Sequence, residues 1–142
     1  MKHIICNFLG IIGGGICMLL GGWDYGMQLL VILMIVDYFS GITTAIYGKS
    51  TKTKKGKLSS RAGFAGLFRK MMELSFVLIG YHIDLAFGVG YVRDAIIVGF
   101  CCNELISITE NAAVLGIPLP NGVKKALELL KSKDIKDEEQ AS

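Results

Sequence analysis

Long apolar stretches separated by short polar connections dominate the chain. They cover residues 4–22, 26–48, 74–90 and 95–116. Most reach or approach the roughly 20 residues with which a helix crosses about 30 Å of hydrocarbon. A helix of a soluble protein shows an apolar stripe and a polar face, whereas these stretches are apolar almost throughout. We therefore predict an all-α integral membrane bundle of four transmembrane helices.

Positive charge gives the predicted helices an orientation. The loop 49–61 contains six cationic residues and no acidic one. These residues are Lys49, Lys52, Lys54, Lys55, Lys57 and Arg61. Short loops rich in Lys and Arg stay on the cytoplasmic side. Lys2 and the lysines after Pro120 agree with this loop, so we predict a multi-pass protein of the bacterial inner membrane with both termini in the cytoplasm.

The first apolar stretch has two interpretations. A positive start, a short apolar core and the small residues Gly21 and Gly22 resemble a signal peptide, but no clear cleavage site of the A-x-A type follows. The other interpretation is a retained first span, which we favour. The number of spans before Asp37 depends on this choice.

The segment 63–73 precedes the third stretch and has the pattern of an amphipathic helix. One face is apolar and carries Phe64, Leu67, Phe68, Met71 and Met72. Arg69, Lys70 and Glu73 lie on the other face. The pattern predicts an interfacial helix in the inner leaflet, whose cations contribute about 1 kcal/mol each against anionic lipid. The alternative is that 63–73 is the cytoplasmic end of the third span. With the basic loop, Arg69 and Lys70 complete the predicted membrane-surface residues.

The end of the chain has the composition of a cytoplasmic segment. Pro118 and Pro120 end the fourth apolar stretch, and Asn121 is a suitable cap for a short helix. The residues after it become increasingly charged, as in a solvated tail. We therefore divide the chain into a transmembrane helical domain, 1–120, and a cytoplasmic helix with a charged tail, 121–142.

Polar residues inside the second stretch form a stripe. Asp37 lies at its midpoint, where a carboxylate costs about 2.5–3.5 kcal/mol to insert. The apolar residues before it offset that cost, but the margin is small. Ser40, Gly41 and Thr44 follow on the same helical face, and small and polar residues of this kind favour close contact and hydrogen bonds between helices. Asp37 should therefore face protein or water.

The fourth stretch carries a second polar face. Its members are Asn103, Glu104, Ser107, Glu110 and Asn111. Two carboxylates outweigh the apolar residues of a lone span, so this face must be sheltered. It pairs with the Asp37 stripe through a shared proton, lines a water-filled lesion after oligomerisation, or is partly neutral. We group the two stripes as the predicted pore or helix-contact face.

Composition narrows the classes of function. Hydrophobic residues make up 52% of the 142 residues, and the formal charge is only +3. No basic stripe interleaved with aromatic residues points to nucleic acid. No nucleophile and base pair, phosphate-binding loop or metal-ligand spacing is present in the sequence. We predict neither an enzyme nor a cofactor or metal requirement.

Four segments in order resemble the phage lysis and toxin-secretion holin family, which includes the clostridial toxin-release holin. They begin with Asp37-Tyr38-Phe39-Ser40-Gly41 and the Ser59-Ser60 segment with Gly63, Gly66 and Arg69-Lys70. The more distinctive segments follow: Asn103-Glu104-Leu105-Ile106-Ser107-Ile108-Thr109-Glu110-Asn111 and Gly116-Ile117-Pro118-Leu119-Pro120. Together they span about residues 26–130.

The resemblance implies a holin that accumulates in the cytoplasmic membrane, assembles with itself and makes holes for a muralytic enzyme or a toxin. The partners it implies are further copies of the chain and the released endolysin or toxin; the basic loop adds anionic lipid. Two other classes stay open. A small proton- or cation-coupled transporter or channel would use the intramembrane carboxylates, and a passive scaffold would use the small-residue contacts.

Overall fold

The computed structural model describes residues 2–50, 59–125 and 128, without the side chains of residues 2–6, 8 and 9. Within these residues the chain is all-α and contains no strand. The long helices are α1 (Lys2–Leu19), α2 (Tyr25–Ile46), α3 (Ser60–Phe87) and α4 (Val92–Val114). The predicted all-α class is confirmed. Residues 121–125 are helical after Pro120.

The helices α2, α3 and α4 form an up-down-up bundle in which α4 is central. α4 packs against both α2 and α3, whereas α2 and α3 touch each other much less. The apolar core lies at the end of the bundle where α2 begins and α3 ends. Its most buried members include Met27 and Leu30 of α2, Val77 of α3, and Ile97 and Cys101 of α4. The polar residues of the bundle lie beyond this core, toward the opposite end.

The surface of the bundle is apolar, the reverse of a soluble protein. Leu29, Ile32 and Phe39 on α2 are at least half exposed, as are Phe64 and Phe68 on α3. Soluble monomers seldom expose continuous apolar patches above a few hundred Å². Among the described residues, α2 is the one helix long and apolar enough to cross a membrane by itself. The predicted bundle of four spans therefore stays a prediction.

The predicted boundary between an interfacial helix at 63–73 and a span at 74–90 is absent. Both segments belong to the continuous helix α3, which ends at Gly88, a glycine with φ of +65°. The alternative, that 63–73 is the cytoplasmic end of the third span, is compatible with one continuous helix and stays a prediction. Residues 51–58 of the basic loop and most of the charged tail lie outside the described residues.

Asp84 and Arg93 organise the turn between α3 and α4. The Asp84 carboxylate accepts hydrogen bonds of 2.9–3.2 Å from the backbone N–H groups of Gly90, Tyr91, Val92 and Arg93. The first N–H groups of a helix have no partner within it, so this carboxylate caps α4 from the preceding helix. These four hydrogen bonds therefore fix the end of α3 to the start of α4.

The Arg93 side chain then reaches the connection between α1 and α2. Its Nε donates to the Leu20 carbonyl at 2.7 Å and its Nη1 to Asp24 Oδ2 at 2.6 Å. Its Nη2 donates to the Gly22 carbonyl at 3.3 Å. We call these contacts the Arg93 clasp. Gly21 is required beside it, because φ is +85° and a Cβ there would lie 2.6 Å from the Tyr81 ring.

Candidate functional site: a buried charge cluster

Three helices bring ionisable side chains together in the polar half of the bundle. The group, called here the charge cluster, consists of Asp37 on α2, Lys70 and Glu73 on α3, and Glu104 and Asn111 on α4. Every member is less than a tenth exposed, and Glu104 is 2% exposed. Charged groups are buried at this depth only when they are paired or neutral.

Lys70 connects the three helices. Its Nζ donates to Asp37 Oδ2 at 2.8 Å and also to Glu104 Oε2. Both carboxylates are at least nine-tenths buried, and the ammonium is equally enclosed. Attraction between charges grows as the surrounding dielectric falls, so this bridge depends on its burial. Removing one partner would leave the others uncompensated.

Asn111 completes the coordination of Asp37 from the α4 side. Its Nδ2 donates to Asp37 Oδ1 at 3.2 Å and to Ser40 Oγ at 2.9 Å. The Ser40 hydroxyl donates to the Asp37 carbonyl at 3.0 Å, which leaves its oxygen free to accept from the amide. Gly41 lies beside this contact, and a Cβ there would lie at an ordinary contact distance of 3.7 Å from Asn111 Nδ2. Both oxygens of Asp37 therefore have partners.

Glu73 is the unsatisfied member of the cluster. It is 4% exposed, and its Oε2 has no hydrogen-bond partner in the described part of the chain. The Glu104 carboxylate lies close enough to interact with it electrostatically. A buried polar atom without a partner costs about 1–3 kcal/mol, and more when the group is charged.

A cavity of about 340 Å³ opens beside the cluster among α2, α3 and α4. Lys70 and Glu104 form part of its wall, and Arg69, Ser107 and Glu110 add further polar groups. Small residues such as Gly63 and Gly66 on α3 leave this space open. The cavity places polar side chains of three helices around one volume.

The predicted helix-contact residues divide into two groups. The structure brings Asp37, Ser40, Gly41 and Asn111 together, and Lys70 joins Glu104 to Asp37. The remaining predicted members are placed around them. Thr44 is buried and donates to the Gly41 carbonyl at 2.8 Å, Ser107 is half-buried at the cavity, and Asn103 and Glu110 are exposed at its edge.

Helical geometry explains the division within α4. At about 100° per residue, Asn111 lies within about 20° of Glu104, whereas Asn103 and Glu110 lie about 100° and 120° away. The predicted polar face of α4 is thus too wide to be buried entirely against α2 and α3. Its centre packs against α2 and α3, and its edge faces the cavity.

The predicted membrane-surface residues need one correction. Lys49, Arg61 and Arg69 are exposed, and Lys52, Lys54, Lys55 and Lys57 lie outside the described residues. Lys70, however, is 8% exposed and bound to two buried carboxylates. It cannot reach lipid headgroups in this structure, because Lys70 and Glu73 lie on the buried face of α3.

The inward roles of Lys70 and Glu73 were missed from the sequence. A signal was present, since Lys70, Glu73, Val77 and Gly80 recur at intervals of three and four residues and form the buried face of α3. The apolar face of 63–73 is the more prominent one in the sequence, and it predicts a helix that lies on lipid. In a bundle with an apolar exterior, the polar face is the one that packs inside.

Comparison with known proteins identifies the family. The sequence model of the Bacteriophage holin family matches residues 14–132. The chain belongs to this family, and the resemblance noted in the sequence is confirmed at that level. Holins are membrane proteins and not a family of enzymes. No solved structure matches the chain.

Several curated relatives cover nearly the whole chain. An uncharacterized protein of Listeria monocytogenes is 36% identical over 140 residues, 96% of this chain and 94% of the relative. An uncharacterized protein of Halalkalibacterium halodurans is 32% identical, over 96% of this chain and all of the relative. An uncharacterized 14.9 kDa protein in the nagH 3' region of Clostridium perfringens is 33% identical, over 94% and 99% of the two chains.

Proposed function

We propose that this protein is a holin that oligomerises in the bacterial cytoplasmic membrane and forms lesions through which an endolysin or a toxin is released. The observation that carries the proposal is the charge cluster, buried inside a bundle whose exterior is apolar. Family membership supports the same function. Such a protein has lipid-compatible outer surfaces and an interior that can line an aqueous opening after rearrangement.

The proposed topology has four membrane spans, with both termini in the cytoplasm. The Arg93 clasp then lies at the external end, and Lys49 and Arg61 lie at the cytoplasmic end. The polar faces of α3 and α4 lower their hydropathy, but Lys70 compensates Asp37 and Glu104 within one copy. This pairing supports insertion of α3 and α4 as a packed unit, where each alone would carry unpaired charge.

The pairing also suggests how a lesion forms. In the single copy, Asp37 and Glu104 are held by Lys70 and Asn111 in contacts between helices. In the assembled lesion the same side chains face water, which solvates them without a protein partner. Glu110, already exposed at the cavity, joins them. The partners in the proposal are further copies of the chain and anionic lipid, which Lys49, Arg61 and Arg69 bind.

Inducible expression in bacteria tests this function. We expect an abrupt loss of membrane potential after a fixed delay, followed by release of a coexpressed endolysin. Glu104→Leu should change the delay, since it removes one of the two carboxylates that hold Lys70. Glu128→Leu, at an exposed position, should keep the wild-type delay at equal protein level.

Other outcomes would reject parts of the proposal. An intact membrane potential at full expression would reject the holin function and favour a scaffold. Gradual uptake that depends on one substrate, without endolysin release, would favour a transporter. An unchanged delay in Glu104→Leu would remove the charge cluster from the mechanism while leaving the function in place.

A further inference from the structure

The charge cluster contains more acidic than basic groups. Asp37, Glu73 and Glu104 contribute three carboxyl groups, and Lys70 contributes one ammonium. Asn111 is neutral, and on α4 the Cys101 thiol lies one helical turn before Glu104. If all three carboxyl groups were ionised, the negative charges of the cluster would outnumber its one ammonium, among the described residues, by two. That state is very costly in a buried site.

The positions of the three carboxyl groups differ in a way that singles out Glu73. Asp37 and Glu104 both accept hydrogen bonds from Lys70, and Asp37 also accepts from Asn111. Glu73 is only 4% exposed, yet its Oε2 accepts a hydrogen bond from no described group. An unpartnered carbonyl oxygen costs far less than an unpartnered carboxylate oxygen. The neutral acid therefore fits this position better than the anion.

The contact with Glu104 supports the same assignment. The two side chains lie close enough to interact electrostatically, and two neighbouring carboxylates repel each other unless one carries a proton. A neutral Glu73 has an O–H group that can donate to the Glu104 carboxylate. Glu104 would then accept from both Lys70 and Glu73. One proton thus removes a repulsion and adds a hydrogen bond.

We propose that Glu73 is a proton-binding site that is occupied in the packed bundle, where the proton joins α3 to α4 through Glu104. Loss of the proton adds a negative charge between these helices and opposes their packing. Binding and release of one proton therefore bias the bundle between its packed form and a loosened form. Its use as a switch for lesion formation rests on the holin function proposed above.

Infrared spectroscopy of the purified full-length protein in lipid vesicles tests the proton directly. We expect a band from the C=O stretch of a neutral carboxylic acid at pH 7. The band should be lost in Glu73→Gln and unchanged in Glu128→Gln, which makes the same chemical change at an exposed site. Raising the pH should remove the band from the wild type and lower its melting temperature. Glu73→Gln should show a smaller fall in melting temperature over the same range.

Two results would overturn the proposal, and neither depends on holin activity. The first is the absence of a neutral carboxylic acid band from the wild type at pH 7. This measurement needs no variant, so it decides the question even if Glu73→Gln fails to fold. The second is a band of full intensity in a folded Glu73→Gln variant. A separate result would reject only the role in lesion formation. In that case the infrared band is present, but an alkaline cytoplasm shortens the delay to depolarisation no more in the wild type than in Glu73→Gln.

Discussion

Lys70 and Arg93 are both buried cations, but the molecule compensates them differently. Lys70 lies in the polar half of the bundle between two buried carboxylates. Arg93 lies at the opposite end, where backbone carbonyls and the half-exposed Asp24 accept its hydrogen bonds. Near water, backbone carbonyls and two exposed carboxylates, those of Asp24 and Asp94, suffice for a guanidinium. Deep in the bundle, the ammonium requires full charges of opposite sign.

The difference indicates separate roles for the two ends. The charge cluster draws its members from α2, α3 and α4, and its stability depends on keeping water out. The Arg93 clasp joins the α1–α2 connection to the start of α4 through contacts that tolerate water. A rearrangement that admits water would therefore weaken the cluster first and leave the clasp in place.

The largest effect should come from Lys70→Met. This change leaves Asp37 and Glu104 buried without their cation, and we expect the free energy of unfolding to fall by about 3–5 kcal/mol. Denaturant titration of the protein in detergent micelles measures it. Arg69→Met, which removes the neighbouring exposed cation, is the matched control and should have little effect.

A rescue variant sharpens this test. Combining Lys70→Met with Asp37→Asn and Glu104→Gln removes the uncompensated charges, so most of the lost stability should return. If Lys70→Met were as stable as Arg69→Met, Lys70 would not be the cation on which the cluster depends.

An intermediate effect is expected at the clasp. Arg93→Met removes the donors to Leu20, Gly22 and Asp24, and we expect a loss of about 1–3 kcal/mol. Because the clasp fixes the end of α1, the half-buried Cys17 should also react faster with a water-soluble maleimide. Asp94→Asn is the control, since the Asp94 side chain is 70% exposed and lies 3.2 Å from Arg93.

If Arg93→Met lowers stability but Cys17 reacts with the maleimide no faster, Arg93 stabilises α4 without holding α1. An equal effect in Asp94→Asn would place the important contact within α4 itself.

The smallest effect concerns pH. The Arg93 guanidinium beside Asp24 holds the pKa of that carboxyl below its ordinary value of 3.8, and the Met27 N–H acts in the same direction. The stabilisation is therefore present above pH 3.8 and is lost as the pH falls through the lower pKa of the folded state. Asp24 is 49% exposed, so the contribution should stay below about 1 kcal/mol.

Melting curves from pH 6 to pH 3 measure this contribution. Asp24→Asn keeps an oxygen that can cap α2 but loses the charge, so its melting temperature should fall less than that of the wild type. Parallel curves for the two proteins would show that the Arg93–Asp24 pair contributes nothing at either pH.

Much of the fold followed from the length and spacing of apolar stretches. The predicted stretch 26–48 corresponds to α2 (Tyr25–Ile46), and 95–116 corresponds to α4 (Val92–Val114). The polar stripe of α2 was recognised because Asp37 and Ser40 recur at helical spacing in an apolar context. Where a helix is apolar on all sides but one, the local sequence pattern is sufficient to predict which face is buried.

The orientation of α3 could not be obtained in the same way. Periodicity distinguishes a polar face from an apolar one, but the surrounding medium decides which face turns inward. Phe64 and Phe68 suggested a face buried in lipid, and Lys70 was placed at the membrane surface. Only the positions of Asp37 and Glu104 on neighbouring helices show that Lys70 lies between anions, and such a contact between distant residues has no local signature.

The length of α3 has a further consequence in a bilayer. Its 28 residues extend about 42 Å at 1.5 Å per residue, against about 30 Å of hydrocarbon. As a span in the proposed topology, α3 would have to tilt strongly or extend beyond the membrane by about 12 Å, roughly two turns. In the proposed orientation, the excess lies at the Ser60 end of α3 and places Arg61 beyond the acyl chains. Bilayer thickness would then adjust how far Arg61 stands from the headgroups.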